Sequence, residues 1–227
     1  MTAKKSDTVA DLEEIRRRAR EHVERGAVTD GYHADREAVL KLLNEALATE
    51  LVCTLRYKRH YFMASGIHSK GVAEEFLEHA REESEHVDML ATRIIQLDGE
   101  PNFNPDGLSA RSHADYVEGS TLAEMIKEDL IAERIAIGSY TEMIRFLGND
   151  DPTTRRLIEE ILAKEEEHAE DLASLIQSMD QNRQNFGAST QQQQQQSSQA
   201  APQKDQAQKE PARPQTLSNG VVSKSAS

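Results

Sequence analysis

Apolar residues recur between residues 40 and 179 at alternating steps of three and four, the period of a helix that buries one face. Four stripes can be written. The first reads Leu40, Leu43, Leu47, Glu50, Thr54, Tyr57, Tyr61, and the second Val72, Phe76, His79, Glu83, His86, Leu90, Ile94, Leu97. The third reads Ile126, Leu130, Glu133, Ile137, Tyr140, Ile144, Leu147, and the fourth Ile158, Ile161, Glu165, His168, Leu172, Leu175, Met179. Each is bounded by helix punctuation. Asp35 can cap the first, which stops at Gly66; Ser69 opens the second, which stops near Gly99-Glu100-Pro101. Ser120 or Thr121 opens the third and Gly148 ends it. Asp151-Pro152, a cap followed by proline at the first helical position, opens the fourth, which is predicted to run to about Asn182.

The connection between the second and third helices, residues 99–119, is far longer than a turn between neighbouring antiparallel helices requires. A crossover that traverses the bundle is predicted, with a small helix of its own near 109–117. It makes helices two and three parallel and relates the two halves by an approximate two-fold. Outside the bundle, 35–182, stand an N-terminal extension, 1–34, and a low-complexity tail, 183–227. In the extension Asp7 can cap a short helix running to about Glu24 and ended by Gly26. The tail carries six consecutive glutamines, 191–196, and a composition that cannot bury a core, so it is expected to be disordered.

The stripes contain residues that do not belong in an apolar seam. Glu50 is followed 33 residues later by Glu83, which opens Glu83-Ser84-Glu85-His86; Glu133 is followed 32 residues later by Glu165, which opens Glu165-Glu166-Glu167-His168. One Glu-x-x-His in a chain with 40 acidic residues means little. Two, both in the seam and both preceded by a seam glutamate at nearly one interval, define two matching half-sites. An unpaired buried carboxylate costs several kcal/mol or takes up a proton. Four in one core need cations, and two divalent metals offset them while two imidazoles complete the coordination. Residues three apart on a helix are separated by about 60°, so both can reach one ion. His79 has no counterpart in the other half and is read as a satisfied or supporting histidine.

Composition narrows the setting. Aromatics are 4% and Trp is absent, as suits a bundle built from Leu, Ile and Ala. No apolar run approaches a membrane span, and Met1–Ser6 lacks a signal peptide's apolar stretch, so a cytoplasmic protein is expected. The single cysteine, Cys53, excludes an intrachain disulfide and a Cys-x-x-Cys metal site and is read as a small core residue. Of the net charge of −13, the segment 26–180 carries −17, while residues 1–25 and 181–227 are weakly basic. Such a bundle attracts cations and disfavours tight DNA binding.

Asn44-Glu45, Thr49-Glu50-Leu51-Val52, Glu83-x-x-His86, Asp129-Leu130 with Glu133, and Ile161-Leu162 with Glu165-Glu166-Glu167-His168 resemble the bacterioferritin pattern over roughly residues 37–178. The resemblance implies an all-α, ferritin-like four-helix bundle with one long crossover between helices two and three. It implies a centre for two Fe ions per subunit, Mn being possible, with Glu50 and Glu133 as terminal ligands, Glu83 and Glu165 as bridges, and His86 and His168 each on one iron. Tyr57 matches a tyrosine near the metals in that family, and Tyr140 repeats its spacing after Glu133. The implied activity is a ferroxidase that uses O2 or H2O2 and stores or detoxifies iron in a hollow homo-oligomeric shell. The chain also departs from the family. Ser84 stands where bacterioferritins carry the haem methionine, so no haem is expected there. The stretch after the bundle, Asp180 to Gly187, is polar where the family has a fifth helix. These features resemble the Dps-like branch, so a 12-subunit shell is expected, with a 24-subunit shell as the alternative. A manganese-catalase-like redox enzyme would share all six ligands, and a Dps-type DNA-protecting protein is the other alternative.

Overall fold

A computed structural model describes residues 11–66 and 69–199, with side chains described to residue 181. All elements among the described residues are helical: α1 (Leu12–Arg18), a 3-10 turn (Val23–Arg25), α2 (Arg36–Met63), α3 (Ser69–Gln96), α4 (Leu108–Arg111), α5 (Leu122–Leu147) and α6 (Pro152–Gln199). No described helix is long and apolar enough to cross a membrane. The ends of the bundle helices follow the expected chemistry. The Asp35 side chain accepts from Ala38 N, Thr121 from Glu124 N, and Asp151 from Thr154 N, each occupying the first-turn donors that a helix leaves free. Gly148 closes α5 at a positive φ of 51°.

The crossover lies along α2 and ends where α5 must begin. Asn44 reaches Glu100 O and accepts from Asn102 N; Thr49 accepts from His113 N; Arg56 donates to Asp115 O; Arg59 donates to Glu118 O. Residues 100–118 thus track α2 from Asn44 to Arg59, about 22 Å of helix. This return makes α5 parallel to α3 and antiparallel to α2. At its end Gly119 has φ +62°, and a Cβ there would lie 2.8 Å from the Met125 nitrogen, so only glycine makes this turn into α5 without strain.

Two apolar layers form the core. One gathers Leu43, Leu47, Leu90, Ile94, Tyr140, Leu147, Ile158 and Ile161; the other gathers Tyr57, Val72, Phe76, Ile126 and Leu172. On each bundle helix the predicted ligand positions fall between the two layers.

Three expectations are corrected. The described N-terminal helix is capped by Asp11 and ends at Arg18, where a run to Glu24 was expected; Asp7 lies outside the described residues. The crossover helix is a single turn, 108–111, because Pro105 and Gly107 set its start and Ser112 leaves it in extended conformation. The last helix does not stop near Asn182 but continues to Gln199, since glutamine favours helix well enough without an apolar stripe. Residues 200–227 lie outside the described residues.

Candidate metal centre

All six expected residues converge. Glu50 comes from α2, Glu83 and His86 from α3, Glu133 from α5, and Glu165 and His168 from α6, and all are buried. They form two overlapping groups, Glu50, Glu83, His86, Glu165 and Glu83, Glu133, Glu165, His168, in each of which the ligand-type atoms lie within 4.8 Å of one another. Glu83 and Glu165 belong to both. Glu83 turns Oε2 toward His86 Nδ1 at 3.5 Å and Oε1 toward His168 Nδ1 at 3.4 Å. Glu165 mirrors it, with Oε1 3.0 Å from His86 Nδ1 and Oε2 3.6 Å from His168 Nδ1. Each of these two carboxylates therefore offers one oxygen to each half-site.

The tyrosines complete the two-fold pattern. The Tyr57 hydroxyl on α2 donates to Glu133 on α5, and the Tyr140 hydroxyl on α5 donates to Glu50 on α2. The remaining ligand-type atoms are poorly served. Both oxygens of Glu83 and of Glu165, Oε2 of Glu133 and Nδ1 of His168 are buried without a well-aligned hydrogen-bond partner. Buried polar atoms are rarely left so. Orphans of this kind, all pointing at one small volume, fit bound cations.

The electrostatics reflect the crowding. Burial, and then Glu165 and Glu83, hold the Glu50 carboxyl well above its ordinary value; burial, and then Glu83 and Glu165, do the same for Glu133. Burial works against protonation of His86, but Glu165, Glu50 and Glu83 outweigh it and raise the imidazole far above the usual range. For His168 the same opposition resolves upward, to about 11, through Glu165 and Glu83. Burial would raise Glu83 too, yet the close approach of Glu50, His168 and His86 carries it below the ordinary carboxylate range.

Around this set the structure adds residues that the stripes did not single out. Glu82 Oε2 faces His168 Nε2 at 2.8 Å, and its other oxygen is 3.2 Å from Lys164 Nζ, so Glu82 fixes the His168 ring with Nδ1 turned inward. His79 is buried, faces the Tyr57 hydroxyl at 3.2 Å and stacks on His168 with ring centroids 4.0 Å apart. Burial, then His168, push its pKa down to about 4, so its ring is neutral. A layer away, Arg56 Nε donates to Asp129 Oδ1 at 2.7 Å, and His60 Nδ1 faces Asp129 Oδ2 at 2.7 Å. This buried network ties α2, α5 and the crossover together. Asp129 precedes Glu133 by one turn and lies outside the apolar stripe written from the sequence. Cys53 is buried, as expected. Ser84 is exposed on the outer side of α3.

Comparison with known proteins agrees with the helical fold. The ferritin-like domain matches residues 40–182. Bacterioferritin from Mycobacterium avium is 33% identical over 147 residues, covering 63% of this chain and 86% of the relative. The DNA protection during starvation protein of Pyrococcus furiosus is 34% identical over 138 residues, covering 59% of this chain and 74% of that protein. Among solved structures, the bacterioferritin-related protein of Bacteroides fragilis, described as a dodecameric thioferritin, superimposes with a TM-score of 0.65 at 30% identity, covering 67% of this chain and 92% of that one.

Proposed function

The chain belongs to the ferritin-like family, and on that premise we propose that it is a ferroxidase that takes up Fe(II) as substrate and stores or detoxifies the Fe(III) product. The observation that carries this reading is the sharing of Glu83 and Glu165 by both four-residue groups. In it Glu50 and Glu133 are terminal ligands, Glu83 and Glu165 bridge, and His86 and His168 each hold one ion. Hard carboxylates with imidazoles suit Fe(II), and Mn(II) by the same chemistry. Two Fe(II) ions held together supply two electrons to O2 or H2O2 in one encounter. The residues do the rest. Tyr57 and Tyr140 donate to Glu133 and Glu50 and so fix the terminal carboxylates in place. Glu82 keeps His168 in the tautomer whose Nδ1 can ligate. The two apolar layers keep bulk water from the ligand layer.

Storage needs an enclosure, and a homo-oligomeric shell of 12 subunits is part of this reading. Leu55, Phe62, Ile95, Ile131 and Phe146 are exposed on the single chain, as surfaces that meet copies would be. The charge of −17 on residues 26–180 draws cations and works against DNA as the principal partner.

Anaerobic titration with Fe(II) tests the centre: two ions bind per chain, and adding O2 or H2O2 oxidises them. Glu83→Ala or Glu165→Ala removes a bridge and abolishes the fast phase while circular dichroism stays helical. Wild-type oxidation rates in either variant would show that the bridges are misassigned.

A further inference from the structure

The two halves of the centre match at their carboxylates and differ at their imidazoles. Each terminal glutamate accepts from one tyrosine, Glu133 from Tyr57 and Glu50 from Tyr140. His168 is held from behind. Its Nε2 lies 2.8 Å from Glu82 Oε2, and Glu82 is steadied in turn by Lys164 Nζ, 3.2 Å from its other oxygen. The His168 ring also stacks on His79, with centroids 4.0 Å apart and planes 20° from parallel. The His86 ring has no such support. Its polar contacts among the described residues all run through Nδ1, to Glu50, Glu83 and Glu165. It is 5% exposed, against 1% or less for the other five ligand-type residues.

The sequence accounts for the difference. The approximate two-fold that relates Glu83 to Glu165 also relates the residues before them, so Glu82 on α3 corresponds to Lys164 on α6. A carboxylate accepts an imidazole N–H, whereas an ammonium has only hydrogens to offer. One turn before the shared glutamates, His79 corresponds to Ile161, an aliphatic residue of the core. The support of His168 does not depend on what stands at Nδ1. With a proton there or with an ion, Nε2 keeps its hydrogen and Glu82 accepts it. An imidazole anchored at its far nitrogen is oriented before an ion arrives and is the more basic ligand, an effect of about 10–100-fold in affinity. His86 has to be oriented by the ion itself.

We propose that the two ion positions are unequal and fill in order. The position at Glu133 and His168 fills first, with Glu82 as the positioning residue that makes it the tighter, and the position at Glu50 and His86 fills second. This rests on the proposed function, in which both positions take Fe(II). Two electrons are delivered only when both are filled, so the weaker position sets the Fe(II) concentration at which oxidation begins.

Assembled, full-length protein freed of metal and crystallised with one equivalent of Zn(II) per chain tests the order through anomalous difference maps. A difference of about 10–100-fold in affinity, with one equivalent shared between two positions, makes the peak at Glu133 and His168 about three to ten times as high as the other. Excess Zn(II) fills both. Glu82→Leu should bring the two peaks to similar height, while Glu82→Gln, which keeps an acceptor for His168 Nε2, retains the order. Equal peaks in the unaltered protein, or a higher peak at Glu50 and His86, would overturn the proposal. So would an order that survives Glu82→Leu. Absence of both peaks in excess Zn(II) would overturn the proposed function, and this inference with it, whereas two equal peaks overturn the order alone.

Discussion

His86 and His168 each turn Nδ1 into the ring of carboxylates, so a metal must displace whatever proton stands there. The raised pKa of both imidazoles, His168 at about 11, and the raised carboxyls of Glu50 and Glu133 mean that the metal-free centre holds protons at neutral pH. The sign follows directly. These groups bind protons more tightly than model compounds do, so loading releases protons and strengthens as pH rises. Zn(II), a redox-silent probe, is expected to bind more tightly at pH 8 than at pH 6. Each released proton gives about tenfold per pH unit. Calorimetric titration in buffers of different ionisation enthalpy counts the protons; affinity that falls as pH rises would contradict the assignment of these groups as ligands.

At the scale of elements, the Arg56–Asp129 pair, with both side chains buried, joins α2 to α5, and Arg56 also holds Asp115 O of the crossover. Asp129→Ala leaves a buried guanidinium without its counter-charge and should cost about 3–5 kcal/mol. Denaturant unfolding of the metal-free protein measures this. The double variant Arg56→Met, Asp129→Leu should recover most of the loss, and a single variant as stable as wild type would show that the pair is idle. These elements also show how much was legible beforehand. Asp35, Thr121, Asp151-Pro152 and Gly148 marked bundle helix ends by local chemistry, and the buried cluster of candidate ligands was visible because glutamates interrupted an apolar period. The Arg56–Asp129–His60 network was not, because Arg56 and His60 lie one turn apart in a segment rich in basic residues and look like a solvated face. Their partner is 73 residues away from Arg56, and nothing local announces it. The continuation of α6 to Gln199 was hidden for another reason: helix propensity without an apolar face leaves no periodic signal.

For the whole molecule, the deciding quantity is the mass of the particle. The polar stretch after residue 180 offers no apolar stripe for a fifth docking helix. A closed 12-subunit particle is therefore expected, both from the full chain and from a chain ending at residue 185. Native mass spectrometry or mass photometry reads this directly. A 24-subunit particle would return the assembly to the bacterioferritin plan, and dimers that persist at micromolar concentration would favour a manganese-catalase-like enzyme over storage.

The two shared carboxylates come from opposite halves of the chain, Glu83 from the first helix pair and Glu165 from the second. Neither half-site is complete within its own pair: the first borrows Glu165, and the second borrows Glu83. A growing chain that has emerged only as far as Gly148 holds neither ion position in full. On the proposed function, capture of iron would be deferred until α6 has docked on α3, so that translation itself acts as a lock and reactive metal meets only a finished scaffold.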